Sequence, residues 1–277
     1  MTDSPNEKDI AVHFDQVKKT FRERDKETQV LKGITGTVPA GTVLTLVGPS
    51  GSGKSTLLSL CNLLLTPDQG DVYVYGREVR DWPIPSLRKT VGMVFQTPTL
   101  FPGTVLDNLA LGPQLRGEQL DNPGYWLDAI DLPEELAGRS VEELSGGQRQ
   151  RIALVRTLIN EPSILLLDEV TSSLDPVSTQ VVEALITDWR KKSGATVLWV
   201  THHLDQARRL GDITWYLEAG ELLEARNTAD FFAAPEHERA RAFVQDGNLA
   251  TGVEETSVSV DSGELPSFAA REGREAE

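Results

Sequence analysis

Val43-Leu-Thr-Leu-Val47 runs directly into Gly48-Pro-Ser-Gly-Ser-Gly-Lys54-Ser55, and this stretch decides the fold. The short apolar run predicts a buried strand, and the residues after the glycines predict a helix from Lys54 to Leu65. The glycines let the backbone approach a ligand closely, because they carry no Cβ. Their N–H groups, with the start of the helix, form a positive concavity that suits phosphate oxygens. The stretch therefore predicts an α/β fold with a phosphate-binding loop.

The composition of the 277-residue chain is that of a globular protein, with 39% hydrophobic and 25% charged residues. This length suits one large domain or two small ones. The formal net charge of −15 argues against a nucleic-acid binder, which needs a basic surface to displace counterions from phosphates. The same charge argues against direct adsorption to an anionic membrane surface.

The single cysteine, the N-terminal residues and the lengths of the apolar runs argue against three features: an internal disulfide, a secretory signal and a membrane span. Cys61 excludes an internal disulfide, and its apolar neighbours predict a small, buried packing residue. The N-terminal residues lack the basic start and apolar core of a secretory signal. No run of about 18 apolar residues occurs, so the sequence predicts no membrane span.

Short apolar runs alternate with helical patterns along the rest of the chain. Val91–Phe95 is predicted as a short strand, and Ile164–Leu167 and Val197–Val200 are uniformly apolar, as expected of strands buried on both faces of a parallel sheet. Residues 149–160 and 178–192 have the period of amphipathic helices. Such alternation of strands and helices predicts a doubly wound α/β core.

The domain organisation follows from changes in composition. Residues 10–47 are predicted as strands, of which an edge segment begins with Ala11, Phe14 and Val17, and residues 97–156 as a mostly helical insert. One folded domain is predicted over residues 10–246, after a flexible segment of residues 1–9. Residues 247–277 are acidic with few large apolar side chains, so they are expected to stay disordered because little burial would offset the ordering entropy.

Two carboxylates follow the apolar run that ends at Leu167. The C-terminal end of a buried parallel strand lies at the ligand-binding edge of an α/β sheet, beside the glycine-rich loop. Asp168 is therefore predicted to bind Mg²⁺, and Glu169 to polarise an attacking water as general base. Lys54 is predicted to reach the β and γ phosphates of a nucleotide, and Ser55 to hold Mg²⁺ through its hydroxyl.

A second motif, Leu144-Ser-Gly-Gly-Gln148, lies downstream of the glycine-rich loop. Together the two motifs resemble the ATP-binding-cassette family, over about residues 10–245. The resemblance implies an ATPase with a P-loop NTPase (RecA-like) core, an antiparallel β edge subdomain and an inserted helical subdomain, and with ATP and Mg²⁺ as its ligands. Val170 stands where the family usually has Pro; Val can adopt a similar backbone, so activity is expected to survive.

The same resemblance implies roles for isolated residues. His202 would contact the γ-phosphate, whereas the adjacent His203 is expected to be an exposed residue at a helix start. Gln96 would touch Mg²⁺ and water and join the core to the helical insert. Phe21 would stack on adenine, with a core aromatic as the alternative. Asp175 matches the acidic member of a segment that crosses a dimer interface.

The implied nucleotide contacts form two groups, one from each subunit of a dimer. The first group is the loop and helix start of one chain: Gly48, Pro49, Ser50, Gly51, Ser52, Gly53, Lys54, Ser55 and Thr56. The second group would cap the γ-phosphate held by the other chain, because a helix start presents free N–H groups: Ser145, Gly146, Gly147 and Gln148. The implied catalytic residues are Lys54, Gln96, Glu169 and His202, and the implied metal ligands are Ser55, Gln96 and Asp168.

The partners implied by the resemblance are a membrane permease and a second ATP-binding subunit, expected to be a copy of this chain. An importer would add an extracytoplasmic solute-binding protein, and the chain would work at the cytoplasmic face of the membrane. Residues 96–102 and 107–113 resemble ATPases of phosphate importers. Residues 197–202 also resemble ATPases proposed for iron or metal export. A phosphate-like inorganic ion is the favoured cargo, and metal export is the alternative.

Two other classes of protein are disfavoured. A soluble ATPase of DNA repair would carry a long coiled-coil insert, and one of translation would carry two cassettes, and this chain has neither feature. A module that holds ATP without hydrolysing it would not need the combination of Lys54, Asp168, Glu169 and His202.

Overall fold

The structure is a computed structural model that describes residues 9–23 and 26–250. Its strands, in chain order, are β1 (Ile10–Glu23), β2 (Lys26–Pro39), β3 (Val43–Val47), β4 (Gln69–Val74), β5 (Arg77–Glu78), β6 (Val91–Val94), β7 (Ile164–Asp168), β8 (Thr196–Val200), β9 (Ile213–Glu218) and β10 (Glu221–Asn227). Its α-helices are α1 (Lys54–Cys61), α2 (Ile84–Thr90), α3 (Val105–Leu115), α4 (Pro123–Asp128), α5 (Gly146–Leu158), α6 (Pro176–Ser193), α7 (Leu204–Leu210), α8 (Thr228–Ala233) and α9 (Glu238–Ala250).

A six-stranded sheet forms the centre of the described chain, in the order β10-β9-β3-β8-β7-β6. β3 pairs in parallel with β8 and β9, and β7 pairs in parallel with β6 and β8. β10 runs antiparallel to β9 at one edge. Every residue of β3, β7 and β8 is buried, as expected where both faces of a parallel sheet are covered. The predicted α/β core is confirmed.

Alternate residues of the central strands face two different apolar clusters. Leu165 and Leu167 belong to the cluster that includes side chains of α5 and α6. Ile164 and Leu166 belong to the cluster that includes side chains of α1 and the edge strands β1 and β2. This assignment follows from the two-residue period of a strand, which sends successive side chains to opposite faces. The core therefore lies in two layers, one on each side of the sheet.

The edge subdomain is an antiparallel sheet in the order β2-β1-β4-β5, as predicted from the resemblance. It packs against the end of the central sheet that carries β9 and β10. Phe14 meets Trp215 edge to face, with ring centroids 5.9 Å apart. A Cβ on Gly36 would lie 2.6 Å from the Trp215 ring, so this contact requires glycine. The backbone N–H of Lys32 also donates to the carbonyl of Gly220 (2.9 Å).

The helical insert lies between β6 and β7 and contains α3, α4, short 3-10 turns and α5. Thr104 and Asp107 begin α3 as a capping box, in which each side chain accepts a hydrogen bond from the other residue's backbone N–H. Arg151 on α5 donates to the carbonyl of Ile130 (2.7 Å) and so fastens α5 to the turn after α4. Within the insert, the segment after α4 is thereby held to α5, the helix that begins in the Leu144–Gln148 motif.

Several element boundaries differ from the sequence expectation. Helix α1 ends at Cys61 rather than Leu65, because Leu63 adopts a φ of +54° and the next two N–H groups donate to Ser59. Helix α5 begins at Gly146 rather than at 149, because Ser145 caps it. The boundary predicted at Asp246 lies inside α9, which continues to Ala250 despite a glycine, a residue that weakens a helix without ending it.

Other expectations concern single residues and the termini. Cys61 is fully buried, as predicted, and its thiol donates to the carbonyl of Leu57. In the part of the chain that the structure describes, no helix is long and apolar enough to cross a membrane. The predictions of a flexible segment over residues 1–9 and of a disordered tail over residues 247–277 fall, apart from Asp9 and residues 247–250, outside the described residues.

Candidate active site

The glycine-rich loop is fixed by close backbone contacts with neighbouring strands. Gly48 has a φ of +142°, and a Cβ there would lie 1.9 Å from the carbonyl oxygen of Leu217 on β9. A Cβ on Gly53 would lie 2.7 Å from a methyl group of Leu31 on β2. The loop therefore needs glycine at both positions to lie this close to the sheet. Gly51 has a φ of +77° and nothing within 4 Å of its Cβ position, which leaves space for a ligand.

The ammonium group of Lys54 points back into this loop. Its Nζ donates to the carbonyls of Gly48 and Pro49, each at 2.9 Å, and lies 3.4 Å from the Ser52 hydroxyl. Burial lowers the pKa of Lys54, and the nearby charges of Glu169 and Asp168 oppose that shift. The structure thus places the positive charge that was predicted to meet phosphate between the loop and the predicted carboxylates.

Ser55 and Asp168 are brought together at the end of β7, as predicted. The Ser55 hydroxyl donates to Asp168 Oδ1 at 2.7 Å. Burial raises the pKa of Asp168; the Ser55 hydrogen bond and the charges of Lys54 and His202 lower it, and the Glu169 charge raises it. A hydroxyl and a carboxylate that converge in this way are the hard oxygen ligands that Mg²⁺ prefers. The residues present therefore fit the predicted metal.

Glu169 is the centre of the candidate site. Its carboxylate accepts a hydrogen bond from Gln96 Nε2 at 2.7 Å, and its other oxygen lies 2.5 Å from His202 Nε2. Gln96 follows β6, Glu169 follows β7 and His202 follows β8, so three adjacent strands deliver the three side chains to one edge. Because a carboxylate can only accept, the amide nitrogen of Gln96 is the atom that faces it.

The backbone around Glu169 is unusual. Glu169 has a φ of +50°, a conformation that non-glycine residues rarely adopt. Its N–H donates to the carbonyl of Val200 at 3.1 Å, which ties it to the end of β8. Val170, which stands where the resemblance led us to expect Pro, is 1% exposed. The carboxylate is therefore aimed by a backbone that is held on both sides.

The Leu144–Gln148 motif begins α5 with a capping box. The Ser145 hydroxyl accepts from the N–H of Gln148 (3.2 Å), and Gln148 Oε1 accepts from the N–H of Ser145 (2.9 Å). Ser145 and Gly146 are exposed, and a Cβ on Gly147 would lie 3.3 Å from Leu174. The hydrogen bonds of this pair thus stay in the first turn of α5, away from the glycine-rich loop. The capping roles were missed in the sequence, although Ser-x-x-Gln before an apolar helix signals them.

The other residues singled out in the sequence lie on the surface. Asp175 caps α6 by accepting from the N–H of Ser178 (2.9 Å), and hydrogen bonds from the side chain and then the backbone of Ser178 lower its pKa. Phe21 on β1 is 37% exposed, and Lys19 Nζ lies 5.7 Å from its ring centroid. His203 is exposed and precedes α7, as expected. The structure does not bring Asp175 or Phe21 into contact with the Glu169 group.

The motifs, the fold and this constellation agree with the comparisons made with known proteins. The family model described as "ABC transporter" matches residues 31–172. The putative ABC transporter ATP-binding protein YjkB of Bacillus subtilis is 47% identical, over 86% of this chain and 95% of its own length. The chain belongs to the ABC transporter family, and it is an ATP-hydrolysing, ATP-binding subunit of that family.

More distant relatives carry two different substrate names. The phosphate import ATP-binding protein PstB of Aeropyrum pernix is 39% identical, over 79% of this chain and 92% of its own. The methionine import ATP-binding protein MetN of Bordetella avium is 35% identical, over 94% of this chain and 75% of its own. These comparisons support the ATP-binding subunit and leave the choice of substrate to further argument.

A solved structure supports the fold directly. The dimeric post-hydrolysis state of the ATP-binding cassette MJ0796, bound to ADP and Pi, matches with a TM-score of 0.71 and 31% sequence identity. The match covers 78% of this chain and 98% of that one. The predicted P-loop NTPase core and the helical insert are thereby confirmed as those of an ATP-binding cassette.

Replacement of Glu169 by Gln tests its role as general base. We expect Glu169→Gln to lower the steady-state rate of ATP hydrolysis by about 10²- to 10⁴-fold, because Gln cannot accept the proton of the attacking water. ATP affinity is expected to stay near the wild-type value, since Lys54 and the loop are untouched. The measurements are phosphate release and nucleotide binding, with the exposed Glu221→Gln on β10 as control. Unchanged turnover in Glu169→Gln would contradict the assignment.

Replacement of Gly48 by Ala tests the packing of the loop. We expect Gly48→Ala to destabilise the protein by about 1–3 kcal/mol, because the new Cβ would overlap the Leu217 carbonyl and φ is positive. ATP binding is expected to weaken at the same time. Gly138→Ala is the matched control, since a Cβ there meets nothing within 4 Å. Denaturant unfolding and ATP titration of both variants measure the effect; equal results for the two would refute this packing explanation.

Proposed function

We propose that this chain works as one of two identical subunits that hydrolyse ATP and drive phosphate through a separate membrane permease, from the cytoplasmic face. The observation that carries the hydrolytic part is the Glu169 carboxylate, held between Gln96 and His202 beside the loop of Lys54. A water between this carboxylate and the terminal phosphate would be oriented for in-line attack, with its proton passing to Glu169.

Each side chain has a separate task in this scheme. Lys54 binds the phosphates, and its contacts with loop carbonyls are exchanged for contacts with phosphate oxygens. His202 and Gln96 hold Glu169 in place, so that orientation costs little when the reaction occurs. Mg²⁺, when bound by the oxygens of Ser55, Asp168 and Gln96, would neutralise charge on the phosphate groups.

The support for a second subunit comes from glycine at 146. In the interior of a helix glycine costs about 0.5–1 kcal/mol relative to Ala, and at the first residue of α5 it brings no gain in helix formation. No contact among the residues that the structure describes requires glycine here, because a Cβ on Gly146 would meet none of their atoms within 4 Å and the residue begins a regular helix. Gly48 and Gly53, by contrast, are required by their own chain. We therefore attribute Gly146 to a close approach from outside, namely the nucleotide bound by a second copy.

This arrangement gives ATP different contacts in the open and closed pair. In the closed pair the exposed start of α5 would face the γ-phosphate, where free N–H groups and the helix dipole favour an anion. Hydrolysis removes that phosphate contact, and the pair can then open. Such a difference in affinity is what ATP binding needs in order to drive a conformational change in a permease.

Phosphate is proposed as the cargo for two reasons. Residues 96–102 and 107–113 resemble the ATPases of phosphate importers, and the PstB relative is 39% identical over 92% of its own length. The MetN relative is less similar at 35% and covers 75% of its own length. An importer of this kind would also use an extracytoplasmic solute-binding protein.

Replacement of Gly146 by Ala separates stability from activity. We expect Gly146→Ala to raise the free energy of unfolding by up to about 1 kcal/mol, because Ala is the better helix former. The rate of ATP hydrolysis is expected to fall tenfold or more (about 1.4 kcal/mol in the barrier), because the methyl group would keep the partner's nucleotide away. Thermal unfolding and phosphate release are measured on the same samples, with Gly138→Ala as control. Full activity in Gly146→Ala would argue against the shared site.

Affinity purification from gently solubilised native membranes tests the transport assignment. The Glu169→Gln chain with ATP is used as bait, because a trapped closed state should retain its partners; the wild-type chain without nucleotide is the control. We expect permease subunits and a solute-binding protein that binds phosphate in a titration. Recovery of a binding protein selective for methionine would make methionine the cargo in place of phosphate. Recovery of a lone permease whose vesicles transport iron would make iron the cargo. Recovery of soluble proteins alone would contradict a transport role.

A further inference from the structure

A buried polar network lies behind the contact between Glu169 and His202. Gln206 on α7 donates to Glu183 Oε1 on α6 (2.7 Å) and to Thr171 Oγ1 (3.1 Å). Gln206, Glu183 and Thr171 are 4%, 6% and 4% exposed, respectively. Hydrogen bonds in such surroundings are strong, and a partner left without one is costly. The network therefore connects α6, α7 and the segment after β7 firmly.

Charge fixes the orientation of the Gln206 amide. The Glu183 carboxylate can only accept hydrogen bonds, so the amide nitrogen of Gln206 must face it. The other carboxylate oxygen of Glu183 pairs with Arg209, which also lies on α7. The amide oxygen of Gln206 lies 3.4 Å from the Thr171 hydroxyl. An acidic residue at position 206 would place two carboxylates together in a buried site.

The segments that carry Glu169 and His202 each continue, within a few residues, into a member of this network. Thr171 lies two residues after Glu169, and Gln206 is the third residue of α7, the helix that begins two residues after His202. Glu169 also has a φ of +50°, and a strained backbone of this kind persists only where its surroundings hold it. The 2.5 Å separation of Glu169 and His202 thus depends on how these two segments are anchored.

We propose that Gln206 is a positioning residue for ATP hydrolysis: by bridging Thr171 and Glu183, it fixes the segment that carries Glu169 against the helix that follows His202. The inference rests on the proposed role of Glu169 as general base. Gln206 itself is buried behind the site and does not touch the nucleotide loop, so it acts through the positions of Glu169 and His202. Loss of the bridge misplaces the base and leaves the binding of ATP intact.

Thr171→Val and Gln206→Met test the bridge in the purified full-length chain. Each keeps the size of the side chain and removes its hydrogen bonds. We expect kcat to fall about 10- to 100-fold, as a small misplacement of a catalytic group costs, while KM and the Kd for ATP stay near wild type. Thr214→Val is the matched control. Thr214 lies on β9, which is separated from β7 and β8 by β3, and its buried hydroxyl contacts those of Thr45 and Thr228 at 2.9 Å. The control variant is expected to lose similar stability and keep its kcat.

A charge exchange tests whether the contact between Gln206 and Glu183 itself sustains turnover. Gln206→Glu is expected to lose most of its turnover, because the new carboxylate would lie against the buried carboxylate of Glu183 and repel it. Adding Glu183→Gln restores a donor and an acceptor in the same place, and kcat should recover at least tenfold over the single variant. Residues in contact couple in this way, so a double variant without recovery would show that the contact between residues 206 and 183 does not sustain kcat.

The outcomes separate this inference from the proposed function. Wild-type kcat in both Thr171→Val and Gln206→Met, or an equal loss in Thr214→Val, would overturn the role of Gln206 and leave Glu169 as the base. No recovery in the double variant would overturn it as well. Equal rates of ATP hydrolysis in the wild-type chain and in Glu169→Gln would instead overturn the proposed function. A raised KM with unchanged kcat would place Gln206 in ATP binding and also contradict the proposal.

Discussion

The contact of the Glu169 carboxylate with Gln96 and His202 holds together the carboxyl ends of three adjacent strands, and the rest of the site depends on it. A parallel sheet brings those ends to one edge, but it does not by itself orient a side chain. The positive φ of Glu169 turns the carboxylate towards its two partners, and the hydrogen bond to Val200 keeps it there. Lys54 and Asp168 then lie close enough to exert charge on the same group. Fold and chemistry are therefore coupled through one strained residue.

The glycines of the two motifs serve different needs. Gly48 and Gly53 are required inside the chain, because any Cβ would collide with β9 or β2. Gly146 faces open space at the exposed start of α5. The first motif is thus fitted closely against its own strands, whereas the second presents a helix start whose Gly146 meets no atom of the described residues at its Cβ position. This difference explains why we propose a pair of chains as the working unit.

Much of the fold and of the site could be predicted from sequence, for identifiable reasons. The central strands are buried on both faces, so their uniformly apolar runs located Glu169 and His202 at strand ends. The end of α1 could not be predicted, because it depends on the positive φ of Leu63. The Gln206 bridge was also missed, because its partners lie far apart in sequence and meet only when α6 and α7 pack together. Local pattern predicts elements; contacts between distant polar residues require the structure.

Mixing of two inactive chains tests the shared site most directly. Lys54→Ala removes the phosphate contact from the loop, and Gly146→Asp places a carboxylate at the start of α5, where an added Cβ meets nothing within 4 Å. A pair made of one chain of each kind would keep one site with an intact loop and an intact α5. We expect each variant alone to lack ATPase activity and the mixture to regain a substantial part of it. A mixture that stays as inactive as its components would contradict a nucleotide site formed between two copies of this chain.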